Sequence, residues 1–151
     1  MNQKKLVAYF SAGGVTAGKA AQLARAVSAE LYEIVPAQKY TPADLDWQDE
    51  KSRSTLEMNN PAARPSLSGA LPDLAACGVV YVGFPIWWYT APRIINTFLE
   101  SGDFSNKKIM LFATSGGSGI DRAVRDLRRQ YPDLAIVGGK LLNGRVSGDI
   151  L

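Results

Sequence analysis

Lys5-Leu6-Val7-Ala8-Tyr9-Phe10 runs straight into Ser11-Ala12-Gly13-Gly14-Val15-Thr16-Ala17-Gly18-Lys19, and this junction decides the fold. An apolar run without alternation, ended by small residues and glycine, reads as a strand covered on both faces, the signature of a parallel sheet. Residues 78–84 and 108–113 repeat the pattern, each followed by glycine or proline, and two weaker runs at 31–35 and 134–137 make five strands. Helical periodicity fills the gaps between them. Ala20, Leu23, Ala24 and Val27 share one face, as do Ile120, Ala123, Val124, Leu127 and Tyr131, and a third helix is predicted from Pro92 through Phe98. Strands alternating with helices give an α/β fold, a three-layer doubly wound parallel sheet whose ligands bind beyond the carboxyl ends of the strands.

The 151 residues fit one domain, residues 1–151, and a hydrophobic fraction of 46% with 21% charged residues supplies one ordinary core. The stretch from Pro36 to Pro72 is polar and rich in proline. Within it Thr41-Pro42-Ala43-Asp44 has a capping residue, a proline at the first helical position and an acid three residues after the cap, which predicts a short helix starting there.

Composition removes much of enzymology. With no histidine, Ser-His-Asp and Cys-His nucleophile systems and imidazole metal sites are excluded, and a lone Cys77 excludes an internal disulfide or a Cys-x-x-Cys redox pair. The net charge of +3 is mild, and the run from Arg122 to Arg129 alternates with Asp121 and Asp126 at helical spacing, as on a solvated helix face. Neither a nucleic-acid partner nor a membrane is expected. The start of the chain lacks an apolar signal region, and a cytoplasmic protein is expected.

Three loops carry the functional signal. After the first strand, the Gly13-Gly14 pair flanked by Ser11 and Thr16 leads into a helix, so backbone N–H groups, hydroxyls and the positive helix end converge on an anion, most simply a phosphate. Gly13 through Lys19 also matches seven of the eight positions of the nucleotide P-loop. Ala20, however, stands where a magnesium-binding hydroxyl belongs, and the third strand ends Gly83-Phe84-Pro85 without an acid. After the third strand, Pro85-Ile86-Trp87-Trp88-Tyr89-Thr90-Ala91-Pro92 offers three adjacent rings, of which one is expected to fill the core under the loop and at least one to face a planar ligand, Trp88 being preferred over Trp87. After the fourth, Thr114-Ser115-Gly116-Gly117-Ser118-Gly119 has minimal side chains and abundant backbone polar groups. A phosphate cradle, an aromatic platform and a glycine-rich polar loop, in that order, describe a site for flavin mononucleotide (FMN).

At these residues the sequence resembles the flavodoxin-like proteins. The matching stretches are Tyr9-Phe10-Ser11 through Thr16, Tyr40-Thr41 with Asp44-Leu45, Arg64-Pro65, Pro85 through Pro92, and Thr114 through Gly119, spaced so that the likeness covers nearly the whole chain. The resemblance implies strand order 2-1-3-4-5, FMN as cofactor, phosphate binding by Ser11, Gly13, Gly14, Val15 and Thr16, and ring binding by Pro85, Trp87, Trp88, Tyr89, Thr114, Ser115, Gly116, Gly117 and Gly119. It implies no side-chain catalytic residue and no metal. Three departures qualify it. The chain is net positive where electron-shuttle flavodoxins are strongly acidic, so both electron carriage to a protein partner and two-electron reduction of a small acceptor such as a quinone by NAD(P)H stay open. The last loop brings no second aromatic, which leaves one flavin face open. The family's C-terminal helix is absent from the expected elements, which would bare an apolar sheet face for a second subunit, in a homo-oligomer, or a rearranged segment of the chain to cover. Two other readings remain: a P-loop-like nucleotide-binding protein, and a flavodoxin-fold binding module that has lost its cofactor.

Overall fold

The structure, a computed structural model, describes residues 4–115 and 119–142. Five strands, β1 (Lys4–Tyr9), β2 (Glu30–Glu33), β3 (Cys77–Pro85), β4 (Lys108–Thr114) and β5 (Ala135–Leu141), alternate with four helices, α1 (Val15–Val27), α2 (Arg53–Met58), α3 (Arg93–Ser101) and α4 (Asp121–Gln130). The sheet is parallel in the order β2-β1-β3-β4-β5, the order that the resemblance implied. Its direction of growth reverses between β1 and β3.

The apolar runs of β1, β3 and β4 lack alternation because these three central strands are buried on both sides, whereas the edge strands β2 and β5 are mostly exposed or half-buried. Leu6, Ala8 and Phe10 of the β1 segment, Val80, Val82 and Phe84 of β3, and Ile109, Leu111 and Ala113 of β4 face one cluster with Ile94, Ile95 and Phe98 of α3 and Ala123 and Leu127 of α4. Val7, Tyr9, Tyr81 and Phe112 face the other, under Ala20, Leu23, Ala24 and Val27 of α1. Leu142 closes this second cluster, and its central side chains, Tyr81 and Phe112, are fully buried, so the centre of that face is not bare. Val79 and Met110 are half-buried there. The expected absence of a last helix falls on residues 143–151, outside the described residues.

The helix expected from Thr41 does not form. Its capping box does: Thr41 N–H donates to Asp44 Oδ2 (2.9 Å) and Asp44 N–H to Thr41 Oγ1 (3.1 Å), and Leu45 N–H reaches Thr41 O (3.1 Å) to complete a single turn. Beyond it, acidic side chains capture the amides that a helix would spend on its own carbonyls, Gln48 N–H donating to Asp46 Oδ1 (3.1 Å) and Lys51 N–H to Asp49 Oδ1 (2.9 Å). The helix of this region is α2, capped by Ser52, whose Oγ accepts from Thr55 N–H (3.3 Å).

Gly83 is required by close packing. It lies opposite Phe112 in the β3–β4 register, and a Cβ there would sit 2.1 Å from Phe112 Cζ. The buried ring has no space to retreat, so Gly83→Ala should lower stability by about 1–3 kcal/mol, read as a fall in the urea midpoint at unchanged slope.

Candidate functional site

The carboxyl ends of β1, β3 and β4, at the point where strand order reverses, open into a cavity of about 940 Å³. The amino end of α1 forms its floor on one side. Gly14 caps the helix in the left-handed region (φ 92°), a conformation that favours glycine, and offers no side chain for the helix N–H groups. Ser11 supplies the missing acceptor from outside: its Oγ accepts from Gly14 N–H (3.1 Å) and Ala17 N–H (3.2 Å). The amides of Gly13, Val15 and Thr16 are left without a hydrogen-bond acceptor among the described residues, beside the positive end of the helix dipole. Thr16, 2% exposed, shares a hydrogen bond with Thr114 at the end of β4 (Oγ1 to Oγ1, 2.8 Å). Two hydroxyls carry two protons and this bond uses one, so the other is available toward the cavity that both residues line. Ala20, which breaks the P-loop pattern, is fully buried beneath α1.

The second wall is the turn after β3. Trp87 N–H donates to Thr90 O (2.9 Å) and Thr90 N–H to Trp87 O (3.0 Å), closing a two-residue turn whose central residues, Trp88 (φ 48°) and Tyr89 (φ 67°), are both left-handed. Such turns normally take Asn-Gly, and bulky residues there are strained. Trp87 is the ring that fills the space under the loop, edge-on to Phe10 (centroids 5.6 Å apart) and to Tyr40 (5.4 Å), while half-buried Trp88 and exposed Tyr89 stand on the turn; all three reach the cavity.

Tyr40 buttresses Trp87 and is itself fixed. Arg53 lies over its ring (3.8 Å to the centroid), its hydroxyl donates to Glu57 Oε1 (2.5 Å), and Arg53 Nε binds Glu57 Oε2 (2.9 Å). Burial and the neighbouring Glu57 carboxylate push the Tyr40 phenol far above its usual range.

Of the residues singled out from sequence, Gly13, Val15, Thr16, Pro85, Trp87, Trp88, Tyr89, Thr114 and Ser115 line this cavity together. Ser11 and Gly14 shape the loop behind it. Gly119 borders a separate depression of about 400 Å³ with Tyr89, Asp121 and Arg122. Gly116 and Gly117 lie outside the described residues. Sequence reasoning missed Ala12, Ile86 and, from the connection between β2 and β3, Leu45, Trp47 and Ser54. No charged side chain lines the cavity among the described residues. Nor do the described residues hold a cluster of acids and cysteine fit for a metal, or a helix long and apolar enough to cross a membrane.

A doubly wound sheet with acceptor-free amides at a helix end and an aromatic turn at its switch point points to a flavodoxin-like protein, and comparison bears out the fold and the family. The flavodoxin family model matches residues 4–151, and the chain belongs to that family. It is similar to a protein from Bacteroides uniformis provisionally named a flavoprotein (51% identity, 99% of this chain and 96% of that one, TM-score 0.95), and to another so named from Bacteroides eggerthii (50%, 97% and 92%, TM-score 0.94). A Lactobacillus acidophilus flavoprotein solved in complex with FMN shares the fold at 20% identity (93% of each chain, TM-score 0.77). No curated protein matches the chain.

Two outcomes follow from this geometry. Tyr89→Gly removes a bulky residue from a left-handed position and exposes little core, so stability should rise by about 0.5–1 kcal/mol in urea denaturation, the relief of strain outweighing the added freedom of the unfolded chain. The Tyr40 phenol, raised in the folded state, keeps its proton while the unfolded chain releases it near pH 10. Its contribution is therefore intact below about pH 10 and lost as pH rises beyond it, so Tyr40→Phe should flatten the alkaline fall in stability.

Proposed function

We propose that the chain binds FMN in this cavity and works as a redox protein. One observation carries the reading: amides at the α1 terminus that lack an acceptor among the described residues are continuous with a cavity that those residues line with aromatic rings and no charged side chain. The phosphate would be held by the N–H groups of Gly13, Val15 and Thr16 with the proton left over from the Thr16–Thr114 pair. The ring system would lie against the turn at Trp88 and Tyr89. The FMN named with the L. acidophilus structure supports the assignment. When bound, FMN supplies the one- or two-electron chemistry. The chain's own residues would bind the phosphate, orient the ring and exclude water, and no side-chain acid or base is needed; among the described lining residues Tyr89 is the only titratable one.

We read the acceptor as a small molecule such as a quinone, with NAD(P)H as donor, in preference to a basic redox protein. A net charge of +3 provides no overall attraction for a positive partner. Titration of the apoprotein with FMN tests the cofactor: a yellow stoichiometric complex is expected, and a colourless protein that takes up no FMN would overturn the reading. Thr16→Ala should weaken FMN by about 10- to 100-fold, the worth of a hydrogen bond to a charged group. The same change should leave riboflavin, which lacks the phosphate, nearly unaffected.

A further inference from the structure

The three most exposed large hydrophobic side chains among the described residues are Trp47 (70%), Val15 (64%) and Tyr89 (62%), and all three border the one cavity. Exposed apolar residues scattered singly call for no explanation. These three come from separate stretches of chain, the β2–α2 connection, the first turn of α1 and the turn after β3, and converge on a single opening. Val15 and Tyr89 already belong to the phosphate loop and the aromatic turn. Trp47 has no such assignment.

We propose that Trp47 is a ring-contacting wall of the flavin site, its indole covering part of the planar ring system that the Trp88–Tyr89 turn supports. The inference rests on the flavin reading of the cavity. It answers the open face left by the last loop, where β4 continues into Thr114 and Ser115 without an aromatic: the second aromatic comes from the β2–α2 connection instead. Leu45 and Ser54, on either side of Trp47 in sequence, line the same cavity, so this connection forms a wall and not a single stray contact.

The mount is rigid. Leu45 N–H donates to Thr41 O (3.1 Å), Asp46 N–H to Ala43 O (3.3 Å), Gln48 N–H to Asp46 Oδ1 (3.1 Å) and Asp49 N–H to Asp46 O (3.1 Å), so the backbone is fixed on both sides of Trp47. Ser54 N–H donates to Asp44 O (2.9 Å) and anchors the turn to the start of α2. A side chain with two rotatable bonds on a fixed backbone loses little freedom when a flat ligand covers it. Stacking of this kind rewards any planar ring and is indifferent to the phosphate.

The test is titration of the full-length apoprotein with FMN and, separately, with riboflavin, followed by flavin fluorescence, for the wild type, Trp47→Ala and Trp47→Phe. Trp47→Ala should weaken both ligands by the same factor, about tenfold, and the flavin it still binds should be brighter, because a stacked indole quenches. Trp47→Phe should stay within about threefold of the wild type. The indole is mostly solvent-exposed, so both variants should melt at the wild-type temperature, and Trp47→Phe keeps the comparison available if Trp47→Ala does not. Unchanged riboflavin affinity in Trp47→Ala, or a loss confined to FMN, would overturn the proposal while leaving the flavin reading standing. A wild-type protein that binds neither FMN nor riboflavin would instead remove the flavin reading, and this proposal with it.

Discussion

When both faces of a parallel sheet are buried, every interior strand spends its backbone hydrogen bonds on its two neighbours, and away from the sheet's edges polar backbone becomes available where the strands stop. Here β1 leaves the sheet toward α1, which packs on Val7, Tyr9, Tyr81 and Phe112, while β3 leaves toward α3 on the opposite face. The two exits diverge at the reversal of strand order, and in the crevice between them a helix end, a strand-end hydroxyl and the adjacent tryptophans meet. Everything functional in the molecule depends on that divergence.

Local devices then decide what the crevice can hold. Ser11 satisfies two donors at the α1 terminus and leaves the amides of Gly13, Val15 and Thr16 without an acceptor among the described residues. The turn at Trp88 and Tyr89 carries two left-handed bulky residues at a cost of about 1–2 kcal/mol each. It is clamped by the reciprocal hydrogen bonds between Trp87 and Thr90, by Thr90 Oγ1 donating to Asp126 Oδ2 on α4 (2.8 Å), and by Trp87 wedged against Phe10 and Tyr40. Strain of this kind persists where surrounding contacts overdetermine the backbone, and it is characteristic of sites.

The strands were legible as short apolar runs between turn residues and the faces of α1 and α4 as helical periodicity, and the runs at Leu6–Phe10 and Val80–Phe84 admit little else. The glycine and aromatic loops were legible because they follow those runs directly. The Pro36–Pro72 region was not. Its Thr41 capping box was correctly present and still did not start a helix, since Asp46 and Asp49 compete for the next amides, a contest between local bonds that pattern alone does not settle. The same region hid Trp47 and Ser54 from sequence reasoning, because their place at the cavity follows from a fold-back fixed by Ser54 N–H to Asp44 O and by Arg93 of α3 donating to the Glu57 and Met58 carbonyls at the end of α2. The one available signal was the nearness of Trp47 to Asp44-Leu45, within the stretch that resembles the family.

A cavity lined without a charged side chain binds an anionic ligand differently from one built on lysines. Backbone amides at a helix terminus are already fixed by the fold, so they lose no side-chain entropy on binding, whereas a flexible cation would lose most of its rotamer freedom. The same holds for the rings, since Trp87 is locked by its edge contacts and the turn above it by paired hydrogen bonds. Affinity in such a site comes from preorganisation, and the discrimination divides accordingly. On the proposed reading the amides would recognise the charged end of a ligand and the rings its flat end, so a molecule carrying only one of the two would recover only part of the binding energy. On that reading the separation between the α1 terminus and the Trp88–Tyr89 turn, which the β1–β3 pairing holds fixed, would be the structural quantity that selects the ligand.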